Sequence, residues 1–177
     1  MFREMRRKKQ MLSLEECVAV LDNGTSGVLA VDGDNDYPYA VPLSYVYCDS
    51  KIFFHCARSG HKLDAIARNE KVSFCVIEAD QVMPQKYTTY FRSVIVFGKA
   101  RVLEDDMEKR MALEILAAKY TPDDERGRMQ EIDKLFGQVS MIELTIEHMT
   151  GKEAIELVQT KHDDESCLSL IHISEPT

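Results

Sequence analysis

The feature that most limits the fold of this chain is a series of β-prone runs, mostly joined by short polar turns. Strands joined in this way pair antiparallel, because parallel strands need long crossover connections. Strand and helix do not alternate regularly, which argues against a doubly wound parallel sheet. The pattern predicts a mainly β chain with flanking helices (α+β), in which six or so antiparallel strands form a small barrel. The predicted strands are 26–31, 37–47, 51–57, 72–77, 90–103 and 139–147.

Helix signals and chain breaks complete this outline. Ser13 and Glu16 form an S-x-x-E capping box at the start of a predicted helix over 13–23. Pro38 and Pro42 indicate that the second strand lies at a sheet edge or carries a bulge, because proline cannot donate a ladder hydrogen bond. The other predicted elements are helices over 60–69, 105–120 and 125–135, a polar loop over 79–89 and a turn over 151–153.

Charge and cysteine content narrow the class of protein. Lys and Arg number 22 and Asp and Glu number 30, so the formal net charge is −8, which does not favour binding to nucleic acid or to an anionic membrane. The basic start, 1–9, is either a solvated arm or a weak arm for nucleic acid or lipid. No apolar signal region follows it, and five scattered cysteines argue against a disulfide framework. We therefore expect a cytoplasmic protein with no nucleic-acid or membrane partner.

The character of the chain changes near residue 158. We expect one folded domain over 1–158, a length that allows a sizeable core, followed by a polar tail over 159–177. The last ten residues, 168–177, resemble the conceptual translation of a sequencing adapter and are left out of the fold prediction. The alternative for that stretch is a short terminal strand.

The segment 54–66 carries the strongest chemical signal. It is predicted to contain the end of a strand, a short loop with Ser59 and Gly60, and the start of a helix. Arg58, His61 and Lys62 gather where the free backbone N–H groups of a helix N-terminus favour an anion, commonly a phosphate. The alternative is a helix capped by Ser59 with solvated basic side chains, and the spacing alone gives both interpretations similar weight.

Other candidate residues give weaker signals. His55 lies in a predicted strand, with Phe53 and Ala57 on its face and Cys56 on the opposite face. His55 and Cys56 therefore point apart, and no carboxylate has matching spacing, so no metal site is predicted. Arg92 and Ser93 near the start of a long strand either face a ligand or form an ordinary edge pair.

Several of these segments, in this order, resemble the pyridoxamine 5′-phosphate oxidase-like flavoprotein superfamily, and within it the 5-nitroimidazole-resistance proteins. Each motif is short, but the ordered set is specific, and the resemblance covers about residues 1–158. The matching segments are 37–47 (YPYAVPLSYVY), 52–55 (IFFH), 60–66 (GHKLDAI), 90–98 (YFRSVIVFG) and 150–153 (TGKE).

The resemblance implies a split β-barrel that binds FMN at a homodimer interface. The residues that it implies around the isoalloxazine ring are Tyr39, Val41, Pro42, Leu43 and Ser44. It implies that His61 and Lys62 hold the phosphate and that His55 and Cys56 lie beside the flavin. It also implies that Arg92 and Ser93 contact the flavin or its phosphate. His55 is implied as the catalytic or substrate-facing residue.

The implied function is an FMN-dependent reductase of the 5-nitroimidazole-resistance type, which reduces nitro groups of small aromatic compounds. One alternative is a flavin- or haem-binding module without drug-directed catalysis, and another is an oxidase of pyridoxamine 5′-phosphate. The oxidase itself has an Arg and a Lys where this chain has Tyr39 and Ser44, and it has a C-terminal segment with a Trp that this tryptophan-free chain lacks.

Overall fold

Residues 1–161, which the computed structural model describes, form an antiparallel sheet surrounded by helices. The α-helices are α1 (Leu14–Asn23), α2 (His61–Arg68), α3 (Asp106–Tyr120) and α4 (Glu125–Leu135), and residues 155–161 are also helical. The strands are β1 (Ser26–Asp32), β2 (Pro38–Ser44), β3 (Val46–Cys48), β4 (Lys51–Ala57), β5 (Lys71–Met83), β6 (Thr88–Val102) and β7 (Val139–Glu153). Residues 168–177, which were left out of the fold prediction, lie outside the described residues.

The sheet has seven strands in the order β2-β1-β5-β6-β7-β4-β3, and its neighbours pair antiparallel. The predicted class, mainly β with flanking helices, is confirmed. The long β5–β6 hairpin and the β6–β7 pair form its centre. A bulge lies between Phe97 and Gly98, where a Cβ on Gly98 would lie 2.1 Å from the Thr145 carbonyl oxygen. This close approach of two strands requires glycine at position 98.

The two outer strands of the sheet, β2 and β3, follow each other in the chain and are separated only by Tyr45. The sequence predicts one strand over 37–47, but β2 pairs with β1 while β3 pairs with β4. The backbone N–H of Tyr45 donates to the Tyr120 hydroxyl at 2.9 Å, and the Tyr45 carbonyl accepts from it at 2.8 Å. A side chain of α3 thus replaces a strand partner at this point, and the sheet stays open there.

Two apolar clusters lie on opposite sides of β4. Its alternating residues Ile52, Phe54 and Cys56 enter the main core, with α1 and the inner faces of β1, β5 and β6. Phe53 lies in a second cluster beneath α3, with Leu116 and Met141. The predicted alternation of β4 is therefore confirmed, and both faces of this strand are used.

Some predicted elements differ from the structure. Residues 79–83 and 88–89, predicted as a polar loop, extend β5 and β6, because Asp80 pairs with Phe91 and Val82 with Thr89. Residues 151–153, predicted as a turn, belong to β7, because they pair with 92–94 of β6. The predicted capping box is confirmed: Ser13 N–H donates to Glu16 Oε2 at 2.8 Å, and Glu16 N–H donates to Ser13 Oγ at 3.2 Å.

Among residues 1–161, no helix has the length and apolar character that crossing a bilayer requires.

Candidate functional site

The N-terminus of α2 follows β4 after the three-residue loop 58–60 and has no side-chain cap. Gly60 occupies the N-cap position with a φ of 139° and provides no side-chain cap, so the Ser59-capped alternative is not what forms. A Cβ on Gly60 would meet no atom within 4 Å, so the glycine serves the left-handed backbone there and not a crowded contact. The first N–H groups of a helix favour an anion when no cap occupies them.

His61 joins α2 to β2 and to the turn before it. Its ring stacks on Tyr39, with the ring centroids 4.2 Å apart and the planes at 20°. His61 Nε2 accepts a hydrogen bond from Asp34 N–H at 3.2 Å, and Asp34 also pairs with Arg68 at 2.9 Å. The predicted residues Tyr39 and His61 therefore lie together, and His61 is held in place by its neighbours.

Strand β2 presents its predicted residues to two different sides. Tyr39, Val41 and Leu43 are half-buried against the main core, while Pro42 and Ser44 are exposed. Because successive side chains of a strand point in opposite directions, the five residues do not form one surface. The exposed side offers Pro42, Ser44 and backbone groups.

His55 and Cys56 also face apart, as predicted. Cys56 is 7% exposed and lies in the main core. Burial raises the pKa of its thiol, and the nearby Lys62 ammonium opposes that rise. Lys62 is the second residue of α2, at the N-terminus of that helix. His55 is exposed on the opposite face.

His55 and Ser44 line a common cavity of about 390 Å³ between the sheet and the α3–α4 pair. The β3–β4 pairing ends at Val46 and Phe53, and Ser44 and His55 each lie two residues beyond that pair. The remaining walls come mainly from apolar residues of α3 and α4, with Tyr120, Arg128 and Glu131. Sequence reasoning missed the residues of these helices, because nothing local in 113–135 indicates which side of a distant strand they cover.

Arg92 and Ser93 lie in a different environment. The Arg92 guanidinium donates to Glu153 at 2.8 Å and to Glu78 at 3.3 Å. Glu153 is 2% exposed and also accepts from Lys161 at 2.6 Å. Arg92 thus partners carboxylates across β5, β6 and β7, whereas Ser93 is half-buried beside it.

One face of the sheet carries exposed apolar side chains. Val28, Ile95 and Phe97 are 37%, 41% and 37% exposed, and the register sets Val28 beside Cys75 and Cys75 beside Ile95. Phe2 of the N-terminal arm contacts this face by stacking on His148, with the ring centroids 4.6 Å apart. Contiguous apolar surface of this kind is typical of an interaction site.

In residues 1–161, no three His, Cys, Asp or Glu side chains gather as a metal site would require.

Solved structures of several proteins share this fold. A FAD-binding protein (mll6688) from Mesorhizobium loti is 27% identical, with 82% of this chain and 97% of that chain covered and a TM-score of 0.58. A candidate 5-nitroimidazole antibiotic resistance protein from Bacteroides thetaiotaomicron is 21% identical, with coverage of 81% and 86% and a TM-score of 0.66. A FAD and haem binding protein from Mycobacterium smegmatis is 22% identical, with coverage of 82% and 73% and a TM-score of 0.69.

No curated protein matches this sequence. The family model described as pyridoxamine 5′-phosphate oxidase matches residues 13–153, which is most of the chain. The resemblance expected from the ordered motifs is thereby confirmed, and the chain belongs to the pyridoxamine 5′-phosphate oxidase family.

Proposed function

We propose that this protein is an FMN-dependent reductase of the 5-nitroimidazole-resistance type, acting on nitro groups of small aromatic compounds. The observation that carries the proposal is the pairing of an uncapped helix N-terminus beside Lys62 with a cavity that holds His55. The similarity to a flavin-binding protein and to a candidate nitroimidazole-resistance protein supports it.

The residues present fit a flavin mononucleotide. Its phosphate needs hydrogen-bond donors and positive charge, and the N-terminus of α2 with Lys62 offers both. His61 already accepts a hydrogen bond from Asp34 N–H and stacks on Tyr39. We therefore assign His61 the task of orienting the N-terminus of α2 against β2, and we assign Lys62 the direct contact with the phosphate. The flat ring needs a partly apolar wall, which the exposed side of β2 provides through Pro42 and its backbone.

In this function the flavin, His55 and the cavity walls have different tasks. When bound, the flavin supplies the electrons, two at a time, and the protein supplies position and electrostatics. His55 is exposed on the cavity wall and donates a proton to a substrate oxygen, the general-acid role that a positioned imidazole can take. The apolar walls from α3 and α4 exclude water from the substrate.

The proposal includes a homodimer with FMN at its interface. The apolar sheet face with Val28, Ile95 and Phe97 is the surface that a second copy would cover. Within residues 1–161, Cys17, Cys48, Cys56 and Cys75 form no disulfide with one another. A cytoplasmic location, where thiols stay reduced, is part of the proposal. A monomeric mass on gel filtration, with FMN still bound, would contradict the dimer.

The absorbance spectrum of the purified protein is the first test. A flavin spectrum, release of FMN on denaturation, and reduction of a nitroimidazole to its amine with reduced flavin are expected. A protein without flavin absorbance would refute the proposal, and a Soret band would favour haem binding instead. Release of hydrogen peroxide with pyridoxamine 5′-phosphate, without nitro reduction, would favour the oxidase.

A further inference from the structure

The cavity between the sheet and the α3–α4 pair extends well beyond the residues assigned to the flavin. Only Ser44 and His55 are at once lining residues of this cavity and residues assigned to the flavin. The other walls come from α3, α4 and the residues around them. Its volume of about 390 Å³ lies near the lower end of the 300–1,000 Å³ typical of ligand pockets. A molecule of one or two rings would fill it, and Leu113, Leu116 and Ile132 give it apolar walls.

Arg128 gives this cavity a charged group with free donors. Its Nη1 donates to the carbonyl oxygens of Thr121 and Pro122, so the guanidinium is held against the loop between α3 and α4. Both hydrogen bonds of the guanidinium leave from Nη1, and within residues 1–161 no carboxylate pairs with this side chain. Nε and Nη2 have no hydrogen-bond partner among these residues, so they keep their donor capacity.

The other charged group in the wall does not balance Arg128. Glu131 pairs with Lys134 of the same helix at 3.3 Å, and within residues 1–161 no carboxylate forms an ion pair with Arg128. An arginine beside apolar walls is stabilised by an anionic or strongly accepting group, which guanidinium binds through two parallel hydrogen bonds.

We propose that the α3–α4 cavity is the substrate-binding site and selects small aromatic molecules that carry one carboxylate or similar anionic group, which Arg128 binds. The inference deepens the proposed function and rests on it, because His55 in the same wall would then face the ring of the bound molecule. Arg128 determines specificity in this scheme, and the chemistry of reduction does not pass through it.

Binding of two matched probes tests this assignment without turnover. Titration calorimetry on the protein with oxidised flavin compares 4-nitrobenzoate with the neutral, similarly shaped 4-nitrobenzamide. The wild type is expected to bind the carboxylate at least about 10-fold more tightly, the usual scale for a hydrogen-bonded charged group. Arg128→Gln should abolish that preference, and Arg128→Lys should keep part of it. Arg126→Gln, at an exposed position of the same helix, is the matched control and should leave both affinities unchanged.

A filling variant tests the location independently of the charge. Ala117→Leu adds volume inside the cavity and should weaken binding of both probes by about 10-fold or more, while the content of bound flavin stays that of the wild type. Equal affinity of the wild type for both probes, or unchanged affinities in Ala117→Leu, would overturn the proposal. Loss of flavin from Ala117→Leu would also overturn it, because the cavity would then belong to the flavin. Repeating the titrations after flavin removal separates this outcome from a failure of the flavin function itself.

Discussion

Replacement of Tyr120 by phenylalanine would test how the open edge of the sheet is held together. Tyr45 is 0% exposed, and its backbone N–H and carbonyl both bond to the Tyr120 hydroxyl, at 2.9 and 2.8 Å. Tyr120→Phe keeps the ring and its packing, and it removes only the oxygen. The N–H and the carbonyl of Tyr45 would then lose the partner that replaces a strand there.

The size of the effect follows from the burial of these groups. A buried donor left without a partner costs about 1–3 kcal/mol. Tyr120 is itself 41% exposed, so water can reach part of the gap, and we expect about 1–2 kcal/mol of lost unfolding free energy. For a chain of this size, about 2–4 °C of melting temperature accompanies each kcal/mol, so the variant should melt about 2–8 °C below the wild type.

Urea denaturation and thermal melting of Tyr120→Phe measure this loss. Tyr87→Phe is the matched control, because Tyr87 is 98% exposed and its change should leave stability within about 0.5 kcal/mol of the wild type. A Tyr120→Phe protein as stable as the control would refute the role given to the hydroxyl, and β2 and β3 would then be held by other contacts.

Three further variants test the site and the sheet. His55→Ala should keep its flavin but lose nitro reduction, and unchanged turnover would remove His55 from the mechanism. Lys62→Met should weaken FMN binding by about 10-fold or more in fluorescence titrations, and an unchanged affinity would exclude its phosphate contact. Burial acts to raise the pKa of Glu143, but hydrogen bonds and charge from Arg101 and Lys51 outweigh it and hold that pKa below the usual 4.5. Stability from this carboxylate is therefore present above pH 4.5 and is lost as pH falls through the lowered value. Glu143→Gln should cost about 1 kcal/mol at pH 7, and the difference from the wild type in urea unfolding should shrink as the pH falls below 4.5; a constant difference would contradict the assignment.

Signals that act over a few residues were sufficient to predict several parts of the fold. The capping box of Ser13 and Glu16 involves residues three positions apart and forms as the sequence indicates. The two faces of β4 follow from the period of a strand alone. The edge position of β2 follows from Pro38 and Pro42, since proline is confined to such places in sheets.

Features that depend on distant partners could not be predicted in the same way. Residues 79–83, predicted as part of a polar loop, join β5 because 88–92 lie opposite them. Glu153, the nearer of the two glutamate partners of Arg92, is 61 residues away in the chain, so no local pattern reveals that pair. The cavity beside His55 depends on where α3 and α4 lie against the sheet, and Tyr120, which fixes one end of α3, bonds across 75 residues.

The prolines of β2 also affect whether two sheets can join edge to edge. Gly33 N–H donates to the Tyr37 carbonyl, and hydrogen-bonded pairs alternate along an antiparallel ladder. The backbone groups of residues 38, 40, 42 and 44 therefore point away from β1, toward the free side of the strand. Two of these four positions are Pro38 and Pro42, which have no N–H to offer. An incoming strand would find half of the donors missing, so this edge resists the strand addition that leads to aggregation.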